Sequence, residues 1–213
     1  MLHAHSITFN PFSENTWLVW SDELNCIIID PGCYGSDEER TLLSFITENK
    51  LKPVRLINTH CHIDHVLGNP FVYRTWGLKP EINPLEQALL DAVPQYGSMW
   101  GIRSEEQPET IHSLLPGETI ALDEHQFRIL FTPGHAPGEV CLYSAENNLL
   151  IAGDVLFKES IGRTDLPGGN HAQLEKSIRE QLYILPDQTL VCPGHGPSTS
   201  IGHEKAHNPF VRF

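Results

Sequence analysis

Seven residues, Thr59-His60-Cys61-His62-Ile63-Asp64-His65, constrain this chain more than any other feature. Three imidazoles and a carboxylate stand within six positions, directly after the apolar run Val54-Arg55-Leu56-Ile57-Asn58. Such a run reads as a buried strand, which puts the polar cluster where the chain leaves a sheet. In a segment that stays extended, His60, His62 and Asp64 share one face, because side chains alternate with a period of two. His65 follows where the chain turns and looks toward a neighbouring point. Ligands that diverge in this way suit two adjacent ions better than one. The plain alternative is a solvated polar loop, and the density of ligand types argues against it.

Three later segments repeat a simpler form of the pattern. Thr132-Pro133-Gly134-His135 follows Arg128–Phe131, Gly153-Asp154 follows Leu149–Ala152, and Pro193-Gly194-His195 follows Thr189–Cys192. Each is an apolar strand, then Gly, then one ligand; Gly permits the sharp turn that delivers a side chain inward. With the first cluster this makes seven candidate ligands: His60, His62, Asp64, His65, His135, Asp154 and His195. Imidazole with carboxylate suits zinc, iron or manganese, not a Cys-rich structural site. Seven donors exceed one tetrahedral ion and fit two. Two divalent ions about 3.5–4 Å apart need an anion between them. Asp154, alone after its own strand, is the best bridging carboxylate.

The formal net charge of −13, from 14 Lys+Arg against 27 Asp+Glu, opposes a phosphate-tracking nucleic-acid binder. The five Cys are scattered without a Cys-x-x-Cys, which fits free thiols in a reducing compartment. No signal-peptide pattern opens the chain and no apolar run reaches membrane-spanning length, so a cytoplasmic protein with no membrane partner is expected. The length of 213 residues fits one α/β domain over 1–213. Strands are expected at 6–9, 16–20, 26–30, 126–132, 140–144, 149–152 and 190–192. A capping box at Ser36-Asp37-Glu38-Glu39 opens a helix to about Lys50, and helices are expected at 85–93 and 171–185. Residues 94–118 read as a long surface loop. The tail is expected to dock by burying Phe210, and histidines outside the ligand set to lie at the surface.

Thr-His-x-His-x-Asp-His, a downstream His, a lone Asp and a late Gly-His resemble the metallo-β-lactamase-fold hydrolases over nearly the whole chain. Ile27-Ile28-Ile29-Asp30-Pro31-Gly32 is similar to that family's Asp-Pro-Gly turn. Thr132-Pro133-Gly134-His135-x-Pro137-Gly138, Ile161-Gly162-Arg163-Thr164-Asp165 and Thr199-x-Ile201-Gly202-x-Glu204-Lys205 resemble its short glyoxalase II-like branch, the hydroxyacylglutathione hydrolase group. The resemblance implies an αββα four-layer sandwich. It implies one metal site from His60, His62 and His135, a second from Asp64, His65 and His195, and Asp154 as the bridge. Zinc is the expected ion, with iron or manganese as alternatives. The implied reaction is hydrolysis of a small-molecule thioester such as S-lactoylglutathione by metal-activated water, with Asp64 holding the nucleophile. Asp30 would support the metal loop, and Arg163 would contact a substrate carboxylate. The family's C-terminal glutathione-binding helical region has no counterpart after His195, and Gly196-Pro197 stands where its Glu-Tyr is typical.

Two other readings stay open on sequence. Gly-Arg-Thr-Asp also resembles the persulfide dioxygenases of the superfamily, which use a single iron and oxygen. A non-enzymatic metal-binding module on the same fold is the second.

Overall fold

A computed structural model describes residues 1–212. The chain forms two compact units: Met1–Ser113 with Leu122–Glu124, and Leu114–Ala121 with the chain from His125 onward. Each is a mixed β-sheet with helices, so the class is α/β.

The first unit is built on a six-stranded sheet in the order β1 (Leu2–Phe9), β2 (Glu14–Ser21), β3 (Asn25–Ile29), β4 (Lys52–Ile57), β5 (Pro80–Ile82), β6 (Ile111–His112). β1 to β3 pair antiparallel, whereas β3 to β6 are parallel. The run Cys26-Ile27-Ile28-Ile29 has no solvent exposure, as a central strand covered on both faces requires. Helix α1 (Ser36–Glu48) packs Leu42 and Ile46 onto Leu18, Ile28 and Leu56. Parallel strands share a direction, so the loops leaving β3, β4 and β5 gather at one sheet edge. Asp30 N donates to Ile57 O at 2.9 Å and Asn58 N to Glu81 O at 3.0 Å, extending the pairing to that edge.

The second unit holds a sheet in the order β14 (Thr199–Ser200), β13 (Leu190–Pro193), β10 (Leu149–Gly153), β9 (Val140–Ser144), β8 (His125–Phe131), β7 (Thr119–Leu122). β10 runs parallel to β13 and antiparallel to β9, which is antiparallel to β8. β8, β10 and β13 therefore end on the same edge. A hairpin of β11 (Leu156–Phe157) and β12 (Ser160–Ile161) follows. Helices α6 (His171–Ser177) and α7 (Ile201–His207) close the core, which includes Leu150, Leu174, Ile178, Tyr183, Val191 and Ile201.

Several expectations need correction. α1 is capped by Gly35, with no side-chain cap bond from Ser36; Glu38 instead accepts from Tyr34 N at 2.7 Å and from Asn10 N at 3.0 Å. The expected helix over 171–185 is α6 followed by a π-turn at Ile178–Leu182. Residues 94–118 are not all loop: α5 (Val93–Trp100) and β6 lie within or across them. The 85–93 helix is a 3₁₀ turn at Pro84–Glu86 and α4 (Gln87–Asp91). Val211 rather than Phe210 docks the tail: Val211 is fully buried and its carbonyl accepts from Tyr183 Oη at 3.0 Å, whereas Phe210 is 55% exposed. His125 is buried, not at the surface. Among the described residues, no helix is long and apolar enough to cross a membrane.

Candidate metal centre

In the first unit the chain stays irregular from Asn58 to His62, then turns into the short helix α2 (Ile63–Val66). The expected extended run to Asp64 is thus broken at His62, and Asp64 and His65 are presented by a helical turn. Asn58, fully buried, donates from Nδ2 to His65 O at 3.0 Å and so closes the loop on itself. His60 and His65 rings lie 4.1 Å apart, and His60 and His62 4.8 Å apart at 87°. His65 Nε2 is 3.7 Å from Asp64 Oδ2.

Asp30 sits under this cluster at the end of β3, 2% exposed and with a positive φ of 49°. It accepts from Thr59 N at 2.7 Å and Thr59 Oγ1 at 2.6 Å, and its Oδ2 lies 3.2 Å from His65 Nδ1. The Thr59 hydroxyl proton is committed to Asp30, so its contact with His60 Nδ1 at 3.2 Å takes the proton from the ring. Through Thr59, Asp30 turns the His60 Nδ1–H toward the protein and keeps Nε2 for a ligand role, and it faces His65 Nδ1 as a close charged neighbour. Asp30, His60 and His65 offer ligand-type atoms within 4.8 Å of one another.

Two further buried carboxylates hold the loop. Glu86, at the end of the 3₁₀ turn after β5, accepts from Cys61 N at 2.8 Å. Glu14 stands at the start of β2. Thr16 Oγ1 lies 3.0 Å from Glu14 Oε2 and 3.0 Å from the Asp30 carbonyl, and it accepts from Gly32 N at 2.9 Å. One hydroxyl proton cannot serve both oxygens. Burial pushes the Glu14 carboxyl well above its usual range, ahead of the opposing pull of His65, so a carboxyl proton fills the second contact.

That proton has a measurable consequence. Because the folded-state pKa of Glu14 is raised, its contribution to stability is complete below the unfolded value of about 4.5 and is lost as pH rises toward the folded value. Urea unfolding of metal-free protein between pH 5 and 9 is expected to show stability falling with pH, and Glu14→Gln to flatten part of that slope. Parallel curves for the two proteins would refute the assignment.

The second unit brings its three expected ligands together. His135 Nε2 and His195 Nε2 each lie 3.5 Å from the same oxygen, Asp154 Oδ2. His135 Nδ1 is 2.7 Å from the Arg163 carbonyl, which can only accept, so this ring also keeps Nε2 for a ligand role. His195 follows β13, and Gly194 N donates to Gly153 O at 2.7 Å, tying the ends of the parallel pair together. Gly162 permits the closest approach: a Cβ there would overlap the Asp154 carbonyl oxygen and lie 3.1 Å from His135 Cβ. The Arg163 guanidinium, expected to contact substrate, bonds Asp165 through two contacts of 2.7 Å and holds the Asp165 carboxyl down at about 2.

These residues fit divalent ions on the chemistry of their donors. Imidazole Nε2 atoms and carboxylate oxygens near 3.5 Å apart are spaced like two ligands of one ion, which at about 2.0–2.2 Å each sit roughly 3.3 Å apart. The charge balance agrees. Among the described residues, Asp30 and Asp154 are buried against the imidazoles of His65, His135 and His195, while no Lys or Arg is buried. Buried anions need a cation, and a bound metal is the one available to this site. Soft thiolates take no part. All five cysteines are buried, and burial raises their thiol pKa, to about 12 for Cys26 and Cys192 and well above the usual range for Cys61.

The β1–β2 turn that binds the Asp64 backbone also carries an aromatic side chain. Asn10 Nδ2 donates to Asp64 O at 2.9 Å and Gly32 O at 3.0 Å, anchoring the β1–β2 turn to the ligand loop. Phe12 on that turn meets Trp100 edge-on at 5.3 Å, and Trp100 at the end of α5 is 52% exposed. Nothing local in the sequence couples this hairpin tip to a helix end.

Comparison with known proteins gives a consistent set. The metallo-β-lactamase superfamily profile matches residues 9–195. A Haemophilus influenzae protein named hydroxyacylglutathione hydrolase GloC is 36% identical, covering 99% of this chain and 98% of its own. A probable metallo-hydrolase, YqgX of Bacillus subtilis, is 36% identical over 94% of this chain and 93% of its own. Among solved structures, BLEG-1 B3 metallo-β-lactamase superposes with a TM-score of 0.89 at 33% identity, over 98% and 99% of the two chains. TTHA1623 in a di-iron-bound form gives 0.87 at 34% identity, over 97% and 100%.

Proposed function

The chain belongs to the metallo-β-lactamase superfamily and has its fold, and from that premise we propose that it is a dinuclear metal-dependent thioesterase acting on a small-molecule thioester of the hydroxyacylglutathione type. The observation that carries the two-ion reading is Asp154, whose single oxygen stands equidistant from two imidazole nitrogens in the manner of a bridging carboxylate. His60, His62 and His135 would hold one ion, and Asp64, His65 and His195 the other. The di-iron form of TTHA1623 supports two ions, and the GloC relative supports the substrate class. We assign zinc as the ion, with iron or manganese as substitutes, and place the protein in the cytoplasm, where five free thiols stay reduced.

Bound ions supply Lewis acidity and an acidified water. The protein's own part is positional. Asp64 lies at the partly open side of its cluster, with its side chain 14% exposed, and can orient the attacking water and receive its proton. Asp30, through Thr59, and the Arg163 carbonyl lock imidazole tautomers before substrate arrives, which is preorganisation. Phe12, on the turn that binds the Asp64 backbone, and Trp100 offer an apolar surface for the uncharged part of a thioester. The leaving thiolate has a conjugate-acid pKa of about 8.5 and needs no strong general acid, consistent with a site that presents none.

Elemental analysis of zinc-reconstituted protein is expected to give two ions per chain. The same preparation is expected to hydrolyse S-lactoylglutathione without oxygen. One ion per chain, with oxygen uptake on glutathione persulfide and no anaerobic thioester cleavage, would replace this reading by a mononuclear iron dioxygenase.

A further inference from the structure

We propose that Glu139 is a positioning residue for the metal centre, acting through Asp154; the inference rests on the reading of Asp154 as a metal ligand. β10 loses its regular ladder just before this residue: its register with β13 shifts between Ile151 and Gly153, and Gly153 has a φ of 50°. The strand therefore does not by itself fix the direction in which the Asp154 side chain leaves. Its backbone N–H does, donating to Glu139 Oε1 at 2.8 Å. Glu139 has no solvent exposure, and its own carbonyl accepts from Thr132 N at 2.9 Å. Thr132 opens the turn that carries His135. One side chain thus couples the end of β8, which delivers His135, to the end of β10, which delivers Asp154. Those two side chains end 3.5 Å apart.

A carboxylate is a stronger acceptor for a buried N–H than a neutral amide, and it holds the donor in a narrower geometry. A group that orients a ligand without touching the ion changes metal affinity by roughly 10- to 100-fold.

Zinc affinity measured by competition with a chromogenic chelator, with no thioester present, tests the assignment. Glu139→Leu keeps the volume and removes the acceptor; it is expected to bind zinc roughly 10- to 100-fold more weakly while its circular dichroism stays that of the wild type. Glu139→Gln keeps an acceptor oxygen and should recover most of the affinity. Wild-type affinity in the folded Leu variant overturns the proposal, as does a folded Gln variant no better than Leu. If the Leu variant does not fold, Glu139→Asp replaces it: its carboxylate is one methylene too short, and wild-type affinity there overturns the proposal equally. Failure of the metal reading itself shows separately, as wild-type protein that binds no zinc.

Discussion

Replacement of Asp154 by alanine is expected to lower bound metal below two ions per chain and to cut kcat/KM for a thioester on the order of 10³-fold, about 4 kcal/mol of transition-state stabilisation. The variant loses the oxygen that faces both His135 Nε2 and His195 Nε2 at 3.5 Å. Without that anion two divalent ions repel, and the second is held only by the remaining donors. Inductively coupled plasma analysis and steady-state kinetics on one preparation check both effects. Two tightly bound ions together with an unchanged rate would remove Asp154 from the centre. Asp154→Asn is the milder companion: it keeps the shape and an acceptor oxygen but removes the charge, so it should fall between wild type and alanine.

Gly162→Ala is expected to be the most damaging single-methyl change in the second unit. The added Cβ would occupy the space of the Asp154 carbonyl oxygen and press on His135 Cβ. Backbone atoms cannot swing aside as a long side chain can, so either the β12 end or the Asp154 turn must move. Overpacking of this kind costs roughly 3 kcal/mol, or about 6–12 °C in Tm for a chain of this size. Because the displaced groups include two proposed ligands, metal content should fall with stability. Thermal unfolding in the presence and absence of excess zinc separates the two: a variant with wild-type Tm and full metal content would show that the hairpin yields freely.

The proposed ligand set was picked out in the sequence because its signal is local. His60 to His65 form one dense word, and His135, Asp154 and His195 each follow an apolar strand and a Gly. What the sequence hid is non-local. Glu14, Glu86 and Glu139 look like ordinary surface carboxylates in the string, and their burial follows only from pairing: Glu86 reaches Cys61 N across 25 residues, and Glu139 reaches Asp154 N across 15. The extended geometry assumed for Asp64 failed because period-two alternation holds only while a strand continues, and β4 ends at Ile57. Ser36 looked like a cap because the motif is read from residue types, whereas Gly35 with φ 79° occupies that position and Glu38 is drawn to the Tyr34 and Asn10 amides. The tail was expected to bury Phe210, yet the Tyr183 hydroxyl donates to the Val211 carbonyl, Val211 is buried and Phe210 is exposed. The α5 segment reads as loop because Pro94 and Gly97 interrupt it. Pro94 sits in the first turn, where its missing N–H is harmless, and Gly97 is where the Ile102 carbonyl oxygen would lie 2.7 Å from an added Cβ, too close for a side chain.

The sequestered cysteines bear on how such a protein survives its own chemistry. A thioester is an acyl donor to any thiolate within reach, and the thiol it releases would exchange with any strained or reactive sulfur nearby. Each of the five sulfurs is enclosed and kept protonated by its surroundings, Cys61 even though it lies between two proposed ligand histidines. On the thioesterase reading proposed above, none of the five cysteines then competes with water as acyl acceptor, and turnover is expected to leave the sulfurs unacylated.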